Sequence, residues 1–128
     1  MPRFFLILLT LLGVTFPGLA DAPSAPKKQN DDDEIVLPKG VPAKVARVLK
    51  HIDETGEAPK NYVGGRHFGN FEGQLPKRDK KGKTIKYQEW DVNPKIPGKN
   101  RGAERLITGS DGSAHYTADH YKSFKKIR

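Results

Sequence analysis

One amphipathic helix followed by a run of short β-rich segments predicts an α+β domain, with one main N-terminal helix packed on a several-stranded antiparallel sheet. Three observations carry this expectation. Val45, Val48, Leu49 and Ile52 fall at i, i+3, i+4 and i+7, a single apolar stripe at helical spacing. Beyond Gly56 that period disappears, and glycine and proline recur at short intervals from Pro59 to Gly102. Between and after them lie segments rich in β-formers: Arg66–Phe68, Thr84–Val92, Arg105–Thr108, His115–Thr117 and Ser123–Ile127.

Taken in order, the chain opens on an export pattern. Arg3 precedes an almost unbroken apolar run from Phe4 to Val14, and Gly18-Leu19-Ala20 supplies small residues where a signal peptidase reads. The run is too short for a comfortable transmembrane span, which needs about 20 apolar residues. Residues 1–20 are therefore expected to be a signal peptide, and the protein secreted. Cleavage after Ala20 is favoured over cleavage after Ala22, which would place Pro23 just past the scissile bond. Residues 21–34, with Pro, Ser, Lys and the run Asp31-Asp32-Asp33, cannot bury a core and read as a disordered spacer. The folded domain is expected over 35–128, where Ile35-Val36-Leu37 reads as a short edge strand closed by Pro38.

Pro42 suits the first turn of the following helix, and Gly56 suits the position just past its end. Lys44, Arg47, Lys50 and Asp53 fall on the outward side of that wheel. On the strand Thr84–Val92, alternation sends Trp90 and Val92 to one face, toward the helix, and Tyr87, Glu89 and Asp91 to the other. The face carrying Glu89 is where function is expected.

Charge narrows the partner. Residues 39–128 hold 20 Lys+Arg against 10 Asp+Glu, a net of +10, which favours a polyanion. The chain has no cysteine, so a disulfide framework is excluded. His115 and His120 are five apart, a poor spacing for paired metal ligands, and neither a Gly-x-Ser-x-Gly elbow nor a phosphate loop of the Walker type is present. No metal and no cofactor is expected. What remains is acid–base chemistry on a phosphate ester, by a carboxylate, a histidine and arginines. Two other readings fit the charge as well: a secreted, non-catalytic cationic RNA-binding module, and a cationic antimicrobial protein.

Four segments carry a resemblance. The ending Thr117-Ala118-Asp119-His120-Tyr121-Lys122-Ser123-Phe124-Lys125-Lys126-Ile127-Arg128 resembles the C-terminus of the barnase-like microbial ribonucleases. Phe68-Gly69-Asn70-Phe71-Glu72-Gly73-Gln74-Leu75-Pro76 is similar to that family's guanine-recognition loop, and Gln88-Glu89-Trp90-Asp91-Val92 to its strand bearing the catalytic glutamate. Gly98-Lys99-Asn100-Arg101-Gly102-Ala103-Glu104-Arg105-Leu106-Ile107 is similar to the segment with two phosphate-binding arginines. The four occur in the family's order over roughly 35–128. The short connection Tyr62–Phe68 is that of the compact, single-helix members.

The resemblance implies the microbial ribonuclease fold and a guanyl-specific endoribonuclease. It implies Glu89 as general base, His120 as general acid, and Arg101 and Arg105 as stabilisers of the phosphorane. It implies guanine binding by Phe68, Gly69, Asn70, Phe71 and Glu72, with Tyr121 stacking on the base. RNA is then the substrate, a cytosolic barstar-like protein inhibitor is an expected partner, and the enzyme is expected to act as a monomer. Two positions depart from the family: Phe71 stands where members commonly have arginine, and the lysine of the larger members' second helix has no counterpart.

Overall fold

The stripe of Val45, Val48, Leu49 and Ile52 forms one face of helix α1, Ala43–Thr55, and all four side chains are buried. The computed structural model describes residues 34–128 together with the isolated Gly13 and Gly18. The signal-peptide expectation over 1–20 and, apart from Glu34, the spacer over 21–34 lie outside those residues. Pro42 stands immediately before the helix in extended conformation rather than inside its first turn, and Gly56 ends it with φ 73°. The Gly56 N–H closes the last turn on the Ile52 carbonyl at 2.7 Å. Only a residue tolerant of the left-handed region fits there without steric cost.

Five strands follow: β1 Gly64–Phe68, β2 Tyr87–Asp91, β3 Arg105–Gly109, β4 Ala114–Thr117 and β5 Lys125–Lys126. They pair in sequence order, each antiparallel to the next. Antiparallel neighbours need no crossover, so β3 and β4 are joined by residues 110–113 alone, while the longer segments 69–86 and 92–104 carry candidate site residues. Ile35-Val36-Leu37 is not a strand. Ile35 and Leu37 instead pack against the helix-side core while Val36 is 83% exposed, so burial of alternate side chains is satisfied without a ladder partner.

The sheet buries both faces unequally. Toward α1, Trp90, Val92, Leu106, Ala114 and Tyr116 join Val41 and the helix stripe in the main core. Each aliphatic side chain so buried is worth about 1.5–3 kcal/mol. Trp90 is 2% exposed and still satisfies its indole N–H, which donates to Thr108 Oγ1 at 2.8 Å. The opposite face carries a smaller cluster of Leu75, Ile85, Tyr87 and Ile107, with Phe68, Tyr121 and Phe124 packed at its edge. Tyr87 is thus a floor residue, its hydroxyl donating to the Pro76 carbonyl at 2.7 Å.

Not every outward position on the helix wheel meets water. Lys44 reaches back to the sheet, its Nζ donating to Asn93 Oδ1 at 2.9 Å and Glu104 Oε2 at 2.6 Å. Asp53 forms a two-pronged pair with Arg128, both bonds 2.7 Å, which fastens the end of the chain to α1.

Candidate active site

Register places the chemistry. Glu89 on β2 lies opposite Arg66 on β1 and Ile107 on β3, and Ile107 lies opposite His115 on β4. The next row holds Asp91, Arg105 and Thr117. All of these belong to the face away from α1, as the alternation of Trp90 and Val92 requires.

Asp91 is the anchor of this row. Its carboxylate is nearly inaccessible and accepts a fork from Arg101, Nε to Oδ2 at 2.8 Å and Nη2 to Oδ1. Arg105 brings Nε to 3.2 Å from the same Oδ1, close enough for an ion pair but not aligned as a hydrogen bond. Arg105 Nη1 donates instead to the Gly102 and Glu104 carbonyls at 2.6 and 2.8 Å. Two guanidiniums are therefore held by one buried anion, leaving a net positive charge on the sheet face. The Asp91 bonds raise the pKa of Arg101, and the charge of Glu89 adds to that shift from nearby.

Glu89 is half-buried, and its Oε2 accepts the hydroxyl of Tyr121. Burial and then this bond push the Tyr121 phenol up to about 12, with Arg105 opposing. Tyr121 also stacks on Phe68, ring centroids 5.1 Å apart. It joins the carboxylate to the loop that follows β1.

That loop borders a recess of about 240 Å³ lined by Phe68, Gly69, Asn70, Phe71, Glu72 and Tyr121 among others. Asn70 shapes it: at φ 49° it turns the chain, its Nδ2 donates to the Leu75 carbonyl at 2.8 Å, and its Oδ1 accepts the Leu75 N–H at 3.1 Å. A Cβ on Gly69 would meet the Phe71 ring, so a larger residue there would have to push that exposed side chain aside. Phe71 is 95% exposed beyond that contact. Glu72 is exposed and accepts Gln74 Nε2 at 3.0 Å, and the same Nε2 donates to the Tyr121 carbonyl at 3.0 Å.

His120 is exposed, with its ring 4.8 Å from that of Tyr121. His120 and Tyr121 take φ values of 55° and 69°, two bulky residues in succession in the left-handed region. Each such residue costs on the order of 1–3 kcal/mol and persists only where its surroundings enforce it. The enforcement is visible. The fully buried Thr117 accepts the Tyr121 N–H on Oγ1 at 3.1 Å and donates to Asp119 Oδ1 at 2.9 Å. Asp119 in turn accepts the Ser123 hydroxyl at 2.6 Å and its N–H at 2.9 Å, which hold its carboxyl at about 2. The His120 N–H donates to the Ala103 carbonyl at 3.0 Å, tying this turn to the segment between Arg101 and Arg105.

Glu89, Arg101, Arg105, His120 and Tyr121 thus belong to one connected set, and Phe68, Gly69, Asn70, Phe71 and Glu72 line the adjoining recess. The protein-family model described as ribonuclease matches residues 24–128. The chain belongs to this ribonuclease family. It is 33% identical over 114 residues to a ribonuclease of Heyndrickxia coagulans, covering 89% of this chain and 96% of that one. It is 39% identical over 89 residues to the guanyl-specific ribonuclease Sa3 of Kitasatospora aureofaciens, covering 68% of this chain and 58% of the relative. Among solved structures, ribonuclease Sa2 with guanosine-2′-cyclophosphate is similar with a TM-score of 0.52 and 32% identity, over 73% of this chain and 92% of that one.

Three residues in or beside this candidate site carry no role in the sequence reading. Asp91 is placed on the correct face by alternation, but nothing local indicates that two arginines converge on it. Gln74 joins Glu72 to Tyr121 across 47 positions, a contact with no sequence signature. Glu104 is the third. Its Oε2 accepts Lys44 and Asn93 Nδ2 (2.8 Å), and its Oε1 accepts the Tyr116 hydroxyl at 2.6 Å. Burial alone would raise its carboxyl, but these bonds outweigh that and hold it at about 2. A depressed folded-state pKa means the stabilisation is complete above the unfolded value of 4.5 and is lost as pH falls toward about 2. Glu104→Gln is therefore expected to flatten the fall of unfolding free energy between those two pH values, read from urea titrations at each pH. An unchanged slope would assign the acid sensitivity elsewhere.

Proposed function

We propose that this ribonuclease is an exported, guanyl-preferring endoribonuclease that cuts single-stranded RNA by metal-free acid–base transphosphorylation. The observation that carries the reading is the pairing of Arg101 and Arg105 on the buried Asp91, on the sheet face that also bears Glu89. Fixed guanidiniums meet a pentacoordinate phosphorane without reorganising during the reaction. Glu89 takes the proton of the ribose 2′-hydroxyl, and the 2′-oxygen bonds to the adjacent phosphorus. The bond from phosphorus to the 5′-oxygen breaks as protonated His120 donates to that oxygen. The 2′,3′-cyclic phosphate is then opened by water with the two roles reversed, giving the 3′-phosphate. The Tyr121 hydroxyl occupies Glu89 Oε2, which leaves Oε1 of the carboxylate to accept the 2′-hydroxyl.

Guanine preference rests on Glu72, whose exposed carboxylate can exchange its Gln74 bond for the N1–H and N2–H₂ edge of the base. Adenine presents no such pair of donors, and a site built for two hydrogen bonds strongly penalises a ligand that lacks them. The name of the relative Sa3 and the guanosine ligand of the Sa2 structure support this part of the reading. Export rests on the sequence of residues 1–20. The enzyme acts as a monomer, and its net positive charge suits a cytosolic, barstar-like inhibitor with an acidic surface, a pairing of the kind known for charge-steered association.

The test is incubation with GpU and ApU in EDTA. The expected result is 2′,3′-cyclic GMP as first product and GpU cleaved far faster than ApU. Loss of cleavage on chelation would overturn the metal-free step, and equal rates would overturn the base preference. Leakage of anionic vesicles with no cleavage product would favour the membrane-active reading.

A further inference from the structure

The segment between the recess and β2 is the most basic stretch of the described chain. Lys77, Arg78, Lys80, Lys81, Lys83 and Lys86 face a single acid, Asp79. It is a built hairpin: Arg78 pairs with Thr84, the Asp79 N–H donates to the Lys83 carbonyl at 2.9 Å, and the Ile85 N–H to the Lys77 carbonyl at 3.0 Å. Asp79 forms no ion pair with these lysines; its Oδ1 accepts the backbone N–H groups of Lys81 and Lys83, both at 2.9 Å, and its single charge leaves the stretch strongly positive. Arg78 Nη1 donates to the Gly82 carbonyl at 2.8 Å. The ion pairs of the described residues include none of these six cations.

A groove of about 370 Å³ runs between this hairpin and the recognition loop. Lys77 and Lys86 line one wall, and Phe68 to Phe71 the other, with Tyr87 between them. The loop therefore separates two grooves: the recess that continues to Tyr121, and this one, which does not touch the catalytic set. Phe71, 95% exposed at the shared rim, enters none of the aromatic pairs among the described residues. Unpaired cations along a groove with an exposed aromatic at its lip are the chemistry that holds single-stranded nucleic acid, the cations on phosphates and the ring on a base.

We infer that the groove between Phe71 and Lys77–Lys86 is a second RNA subsite, which binds the nucleotides on the 5′ side of the guanosine. The inference rests on the reading of the recess as the guanosine site. With the base in the recess and its 3′-phosphate at Arg101 and Arg105, the 3′ strand leaves past His120. The strand that crosses the recognition loop toward the hairpin is then the 5′ strand. Phe71 stacks the preceding base, and Lys77 and Lys86 contact backbone phosphates.

The experiment uses GpU, plus oligonucleotides carrying one 2′-fluoro-guanosine, which bind without being cut, extended either 5′ or 3′. Lys77→Gln/Lys86→Gln is compared with the unaltered protein for GpU cleavage, and for affinity across a salt series. The expected result is unchanged GpU cleavage, a roughly tenfold loss of affinity for the 5′-extended oligonucleotide only, and a log–log salt slope smaller by about 1.4, about 0.7 for each lost phosphate contact. Equal losses for both extensions would mean a diffuse field and overturn the subsite, as would no loss for either. If the unaltered protein does not cut GpU, the ribonuclease reading fails by itself. The 2′-fluoro oligonucleotides still decide between a 5′-strand groove and none.

Discussion

Replacing Glu89 by glutamine is expected to lower kcat/KM on GpU by about 10²–10⁴-fold, the range a positioned general base contributes. The substitution isolates proton transfer. Glutamine has the shape of glutamate, and its amide oxygen can still accept the Tyr121 hydroxyl, so the Phe68–Tyr121 stack and the recess remain. Binding should survive, which places the loss in kcat rather than KM. His120→Ala is expected to fall in the same range, because the departing 5′-oxygen then leaves without a proton. The double variant should lose far less than the product of the two single losses, since the residues act on one concerted event. A loss under tenfold for Glu89→Gln would place the base elsewhere. Arg66, its cross-strand neighbour, cannot take that role because a guanidinium carries no accessible base.

The sequence made legible what local periodicity encodes. The helix stripe, the presence of several strands after it and the opposite faces of Trp90 and Glu89 all follow from side-chain repeats of 3.6 and 2 residues. It misread Ile35-Val36-Leu37, whose alternation is real but reflects packing against the core instead of pairing in a ladder. Lys44 looked solvated because a helical wheel shows only which way a residue points. Glu104, 60 positions away, is what draws its ammonium inward. The resemblance named Glu89, Arg101, Arg105 and His120 as candidates but could not state what holds them in place. The left-handed pair His120 and Tyr121 is enforced locally by Thr117 and Asp119 and at long range by the Ala103 carbonyl, a contact that exists only once the segment before β3 lies beside the turn after β4. Long-range polar pairing leaves no period in a sequence, and that is where the reading stopped.

Asp91→Asn is the substitution expected to damage this fold most, because it removes the one anion on which two arginines converge. The side chains of Asp91 and Arg105 are each 5% exposed and that of Arg101 is 27% exposed, so water cannot replace the lost charge at Arg105. Removing one partner of a buried ion pair costs about 3–5 kcal/mol, chiefly as the penalty of an uncompensated buried charge. A domain of this size holds only about 5–15 kcal/mol in all. At about 4–8 °C per kcal/mol, the thermal midpoint should fall by more than 10 °C. Activity should fall as well, even well below the new midpoint, because Arg101 loses its fork and no longer stands at a fixed angle to the phosphate. One measurement separates these two effects. Inorganic phosphate can bridge the freed guanidiniums, and a ligand that binds only the folded state stabilises it by mass action. Phosphate should therefore raise the melting temperature of Asp91→Asn by more than it raises that of the unaltered protein, while failing to restore kcat. A variant that melts within a few degrees of the parent, with no added response to phosphate, would mean that the two guanidiniums are already satisfied without Asp91, and that the anchor assigned to them is wrong.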